Sequence, residues 1–133
     1  MIASSKKILI VDDDQNIHDI YDECLTTAGF SVDSAFNGQE GLTKLTQEVY
    51  DLVLLDLVMP KVDGFGVLKG LRELDITKQE DRLIVIFSSL DQPDIINQAL
   101  ALGAKGYIDK ATLTPDQAMA KINEFLNIGD FPN

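Results

Sequence analysis

Strand-sized runs recur along this chain, each followed by a segment of helical length, and that alternation leaves few folds open. The runs are Lys7–Val11, Ser31–Ala35, Leu52–Leu55, Leu83–Phe87 and Gly106–Ile108. Three are almost continuously apolar, as expected of strands covered on both faces in a parallel sheet. Between and after them lie Gln15–Ala28, Gln39–Gln47, Gly64–Leu74, Pro93–Leu102 and Pro115–Leu126. The last carries a helix start signal, with Thr114 as N-cap, Pro115 at the first helical position and Gln117 closing a capping box. Gly29 and Gly103 stand where a left-handed residue ends a helix. The order is (βα)₅. Right-handed crossovers then give a doubly wound α/β sheet, whose ligand site lies at the carboxyl ends of the strands.

A chain of 133 residues suffices for one domain, expected over residues 1–133 with its core at about 6–126. Met1–Lys7 lacks the apolar stretch of a signal peptide, and no run approaches the roughly 20 apolar residues of a membrane span. A cytoplasmic protein with no membrane insertion is expected. The single cysteine, Cys24, excludes an internal disulfide and reads as a buried thiol on a helix face. A net charge of −11 argues against direct nucleic-acid binding, because neutralising a phosphate backbone takes Lys and Arg. Most of the 22 acidic residues serve solubility; only a convergent cluster would mean more.

Polar residues gather just after the strand runs. The first is followed by Asp12-Asp13-Asp14, the third by Asp56, the fourth by Ser88-Ser89 and the fifth by Asp109-Lys110. Each alone is an ordinary cap or loop residue. Together, the fold would bring Asp12, Asp13 and Asp56 close enough to repel one another unless a cation or proton intervenes. A hard divalent ion such as Mg²⁺, with Mn²⁺ as a substitute, resolves the conflict through oxygen ligands. A lysine and a hydroxyl nearby could then meet phosphate oxygens, an arrangement suited to phosphoryl transfer onto a carboxylate.

At this point the chain resembles the receiver domains of two-component response regulators. Ile8–Asp14 (ILIVDDD) looks like that family's acidic-pair motif, Leu52–Gly64 (LVLLDLVMPKVDG) like its phosphorylation-site motif and Gly103–Lys110 (GAKGYIDK) like its lysine motif. The resemblance runs from Lys6 to about Leu126 and implies a flavodoxin-like sheet of order 2-1-3-4-5. It implies Asp56 as phosphoacceptor, Asp13 as direct Mg²⁺ ligand, Asp12 as ligand through water and Val58 as ligand through its backbone carbonyl. Ser88 would be the switch hydroxyl, Lys110 its charge partner and Tyr107 the aromatic whose pose follows the state. Val58 and Leu90, two positions after the acceptor and two after the switch hydroxyl, would flank the path of hydrolytic water and tune the phosphoryl lifetime. A sensor histidine kinase or phosphotransfer protein would supply the phosphoryl group, and a downstream protein target would read the result. The surface around Asp94–Leu102, Tyr107 and Pro115–Leu126 would signal, and could carry a homodimer. One departure is Ala111 after the lysine, where the family usually has proline.

Gly64-Phe65-Gly66 with Gly70 has the wrong spacing and place for a dinucleotide loop. His18, alone on a helix among polar neighbours, reads as exposed, and Asp14 as stabilising the start of the next helix. Three rivals remain. An aspartate-dependent phosphohydrolase needs a second Asp where Val58 stands, and a cap domain for which the chain has no room. An FMN carrier would not place three aspartates in its phosphate loop. A receiver-shaped interaction module that is never phosphorylated would have no need of the full set Asp12, Asp13, Asp56, Ser88 and Lys110.

Overall fold

Strand β1 (Lys7–Val11) lies in the interior of a five-stranded parallel sheet, flanked by β2 (Ser31–Ala35) and β3 (Leu52–Leu55), with β4 (Leu83–Ser88) and β5 (Gly106–Asp109) beyond. The order is β2-β1-β3-β4-β5, as expected for a doubly wound α/β sheet. The computed structural model describes residues 6–59, 63–73, 83–89 and 92–126.

Alternation along each strand sends successive side chains to opposite faces, and both faces are covered. Leu9, Val11, Val53, Leu55, Ile84 and Ile86 pack toward α2 (Gly38–Gln47), α3 (Gly64–Glu73) and α4 (Pro93–Ala101). Ile8, Ile10, Leu52, Leu54, Val85 and Phe87 pack toward α1 (Gln15–Thr27) and α5 (Pro115–Leu126). Every residue of β3 is buried, and removing one such leucine side chain costs about 2–5 kcal/mol. This rigid centre fixes the strand ends. Among the described helices, none is long and apolar enough to cross a membrane.

The helix signals operate as read. Gln117 Oε1 accepts from the Thr114 N–H at 2.9 Å while Thr114 Oγ1 accepts from the Gln117 N–H at 3.2 Å. Gly29 and Gly103, at φ 102° and 118°, end α1 and α4. Five boundaries differ by one residue. Helix α2 starts at Gly38 because Asn37 caps it, accepting from the Glu40 N–H. Strands β4 and β5 each run one residue further, to Ser88 and Asp109, which stand opposite each other in the ladder. That places the candidate hydroxyl on the sheet rather than in a loop. Helices α1 and α4 close on Ala28 and Leu102, the caps rather than the last helical residues. The expected end of α3 at Leu74 lies outside the described residues. Cys24 is half-buried at the rim of the packed face of α1, not fully buried, because one side of it opens on a surface groove beside Met119 of α5.

Candidate functional site

The carboxyl ends of β1 and β3 bring three acidic side chains together. Carboxylate oxygens of Asp12, Asp13 and Asp56 lie within 4.8 Å of one another. Asp12 and Asp56 are 1% and 5% exposed, while Asp13 faces solvent. The backbone places them firmly, since the Asp12 N–H donates to Ala35 O at 3.1 Å and the Asp56 N–H to Val11 O at 3.0 Å. Each strand therefore delivers its aspartate at a height set by its neighbour.

Lys110, just beyond β5, supplies the cation. Its Nζ donates to Asp12 Oδ2 at 2.6 Å and to Asp56 Oδ2 at 3.3 Å. The backbone holds it there, with the Lys110 N–H donating to Ser88 O at 3.1 Å. The Lys110–Ala111 bond is trans, and the Ala111 N–H donates to Asp109 Oδ1 at 2.9 Å, a bond proline could not make. The Ala111 N–H thus closes a turn on the Asp109 side chain.

Burial pushes the Asp12 carboxyl above its ordinary pKa, and the bonds from Lys110 and the Asp14 N–H offset this only in part. Burial works against the Lys110 ammonium too, but the hydrogen bond and charge of Asp12, with the charge and bond of Asp56, outweigh it and raise its pKa. One lysine thus serves two carboxylates, and it does not offset the burial of Asp12. Three carboxylates against one ammonium gather hard oxygen donors and a surplus of negative charge in one place, which suits a small divalent cation.

The remaining candidates surround this cluster. Ser88, 1% exposed, ends β4 beside β3. The Tyr107 hydroxyl donates to Ser88 O at 3.5 Å, the long limit of a hydrogen bond, so the half-buried ring spans the last turn of the β4 and β5 ladder. Val58 is 60% exposed at the rim, and its N–H donates to Asp56 Oδ1 at 3.3 Å. Leu90 lies outside the described residues. Asp14 is the N-cap of α1, its carboxylate accepting from the Asn16 N–H at 2.9 Å.

Two residues matter more than the sequence suggested. Gly64 opens α3 close against the end of β3, where a Cβ would stand 2.5 Å from Asp56 O and 2.8 Å from Leu57 Cα. Only glycine lets α3 begin so close to the end of β3. Its place at the end of an acidic loop motif was the available signal. His18 is the second, and here the expectation of exposure is wrong. It is 3% exposed, with Nε2 2.6 Å from Asp12 O and Nδ1 3.0 Å from Ser34 Oγ. Asp14, Gln15 and Asp19 around it suggest exposure, whereas the spacing to Tyr21 and Leu25, three and seven residues on, puts His18 on the packed stripe of α1.

Comparison with known proteins places these features in a family. Residues 8–123 match the model of the response regulator receiver domain. The "probable transcriptional regulator ycf27" of Cyanidium caldarium is 38% identical, covering 90% of this chain and 45% of its own. The transcriptional regulatory protein DltR of Streptococcus agalactiae is 37% identical, covering 87% of this chain and 50% of its own. This chain thus spans about half the length of the curated relatives it matches. Among solved structures, a CheY-like receiver domain from Methanospirillum hungatei superposes with a TM-score of 0.83 at 29% identity, covering 98% of this chain and all of that one. A chain of the CheX-CheY-BeF3-Mg+2 complex from Borrelia burgdorferi superposes with a TM-score of 0.80 at 28% identity, covering 90% of this chain and 88% of that one. By sequence model and by fold, the chain belongs to the response regulator receiver domain family.

Proposed function

We propose that this receiver domain accepts a phosphoryl group on Asp56, in a reaction dependent on Mg²⁺, and changes conformation in response. The observation that carries this reading is the buried Asp56 carboxylate, set among Asp12 and Asp13 and bridged to Asp12 by Lys110. Asp13 and Asp56 would bind the ion directly, Asp12 through water, and the Val58 carbonyl would complete the set. The ion, or Mn²⁺ in its place, would neutralise charge on the transferring phosphoryl oxygens. One Asp56 oxygen attacks phosphorus as the bond to the donor breaks, and the donor leaves with its electron pair and takes up a proton. Lys110 then holds a phosphoryl oxygen in place of the Asp56 oxygen it has lost. The chain catalyses only its own phosphorylation and dephosphorylation.

The donor would be a sensor histidine kinase or phosphotransfer protein. Relatives about twice as long carry names of transcriptional regulators, and this domain would likewise govern a downstream protein, within the cytoplasm, as a single domain over residues 1–133 with its core at about 6–126. The face formed by α4, β5 and α5 would signal or pair with a second copy; only Ala99 of α4 is buried, so that helix is lightly held. Incubation with acetyl phosphate tests the reading. A hydroxylamine-labile phosphoryl group is expected in Mg²⁺ and none in EDTA; equal labelling in both would overturn the metal requirement.

Ser88 and Tyr107 are proposed to transmit the change, since they share the end of the β4 and β5 ladder. Ser88→Ala should accept phosphate at a rate within a few-fold of wild type, yet lose most of the chemical-shift change at the Tyr107 ring. An equal change in both proteins would place the coupling elsewhere.

Lifetime is proposed to depend on Val58 and Leu90. Neither valine nor leucine can orient water for in-line attack, so the phosphorylated domain should decay slowly without a phosphatase. Val58→Asn with Leu90→Glu should speed decay by about tenfold, a modest part of the roughly 10²–10⁴ that a positioned proton acceptor supplies. Identical first-order decay in Mg²⁺ would remove both side chains from lifetime control.

A further inference from the structure

The acidic loop is held from behind by a residue that phosphoryl transfer does not use. His18 lies on α1, 3% exposed, with Phe36 of the β2–α2 loop packed on its ring at a centroid distance of 4.0 Å. The carbonyl of Asp12 can only accept, so Nε2 carries the proton of the 2.6 Å bond between them. The hydroxyl of Ser34, on β2, can donate or accept, and so meets Nδ1 in either protonation state. The imidazole is thereby a fixed strut between the edge strand and the peptide that joins Asp12 to Asp13.

That peptide is where direction is decided. Its carbonyl is the oxygen His18 holds, and its nitrogen belongs to Asp13, so fixing the peptide plane sets the angle at which the Asp13 side chain leaves the backbone. Asp12 itself is tied at three further points: its N–H to Ala35 O, Oδ1 to the Asp14 N–H and Oδ2 to Lys110. Asp13 is exposed and depends on its backbone for aim. We infer that His18 is a positioning residue for the divalent cation site, aligning Asp13 through the Asp12 carbonyl, with Ser34 fixing the ring. This rests on the proposal that the acidic cluster binds Mg²⁺. Groups behind metal ligands typically change affinity by about 10–100-fold when lost.

The test is calorimetric Mg²⁺ binding to the unphosphorylated protein, alongside thermal midpoints in EDTA. His18→Leu keeps the packing and removes both polar bonds, and should weaken Mg²⁺ by about tenfold. His18→Gln offers a donor and an acceptor at similar reach and should recover most of that loss. In phosphorylation by acetyl phosphate, His18→Leu should raise the Mg²⁺ concentration for half-maximal rate and leave the rate at saturation within a few-fold. A merely structural histidine would lower the midpoint of His18→Leu without changing Mg²⁺ affinity, and that result would overturn the inference alone. If His18→Leu fails to fold, Ser34→Ala decides: a several-fold weaker affinity supports the strut, and an unchanged one overturns it. Absence of saturable Mg²⁺ binding in wild type would overturn the metal reading, and this inference with it.

Discussion

Asp56→Asn will leave the domain folded and abolish hydroxylamine-labile phosphorylation. The substitution preserves shape and keeps an oxygen able to accept the Val58 N–H, but an amide is neither an anion nor a competent nucleophile toward phosphorus. Folding should be unharmed, because one of three converging carboxylates disappears while Lys110 keeps its closer partner, Asp12, at 2.6 Å. Relief of like-charge repulsion should hold the unfolding free energy without Mg²⁺ at or slightly above wild type, by up to about 1 kcal/mol. Labelling with acetyl phosphate in Mg²⁺, followed by hydroxylamine, is the measurement. The reagent cleaves an acyl phosphate and spares a phosphoserine, so transfer to Ser88 would not be mistaken for the native reaction. Label that remains undiminished and hydroxylamine-labile would mean another carboxylate is the acceptor.

Position in the sheet was legible from sequence for a physical reason. Runs such as Ile8–Val11 and Leu52–Leu55 are apolar at every residue, which only a strand covered on both faces tolerates, and the fold then dictates that Asp12 and Asp56 emerge side by side. The same logic placed Lys110 after β5, and the capping box marked Thr114 as the cap of α5. Properties that depend on three-dimensional neighbours were not legible. His18 looked exposed because its sequence neighbours are polar, yet its spatial neighbours are the Asp12 carbonyl, Ser34 and Phe36, from two other segments. Gly64 read as part of a loop motif, while its need to be glycine comes from the backbone of Asp56 and Leu57 pressing on it. Ala111 departs from the family's usual proline, and nothing in the residue alone announces that Asp109 will take its N–H.

Lys110→Ala should be the most destabilising change at the site, and the loss should depend on metal and pH in a defined direction. The ammonium is the cation that both Asp12 and Asp56 touch, with its side chain only 11% exposed. Removing one partner of a buried pair costs about 3–5 kcal/mol when the remaining charge has no other neutraliser. Here protonation offers an escape, so about 3 kcal/mol at neutral pH in EDTA is expected, a large share of the roughly 5–15 kcal/mol that holds a domain together. Burial already raises the pKa of Asp12, and losing Lys110 raises it further. The folded variant then binds more protons than its unfolded chain between the ordinary carboxylate pKa and the raised pKa of Asp12. Stability must therefore fall as pH rises through that window and recover as pH falls back through it. Mg²⁺ should replace the missing charge, since a ligand at 100 times its Kd contributes about 2.7 kcal/mol to the state it binds. A cluster stripped of its ammonium should hold the ion more tightly than wild type, so the stabilisation by a given Mg²⁺ concentration should be larger in the variant. Phosphorylation should nonetheless be slowed, because the metal cannot also supply the donor that Lys110 would offer a phosphoryl oxygen under the proposed function. Urea unfolding of both proteins at neutral and mildly acidic pH, with and without Mg²⁺, measures all of this. Equal stability in EDTA at neutral pH, or a smaller gain from Mg²⁺ in the variant, would show that Lys110 is not the charge that holds the carboxylates together.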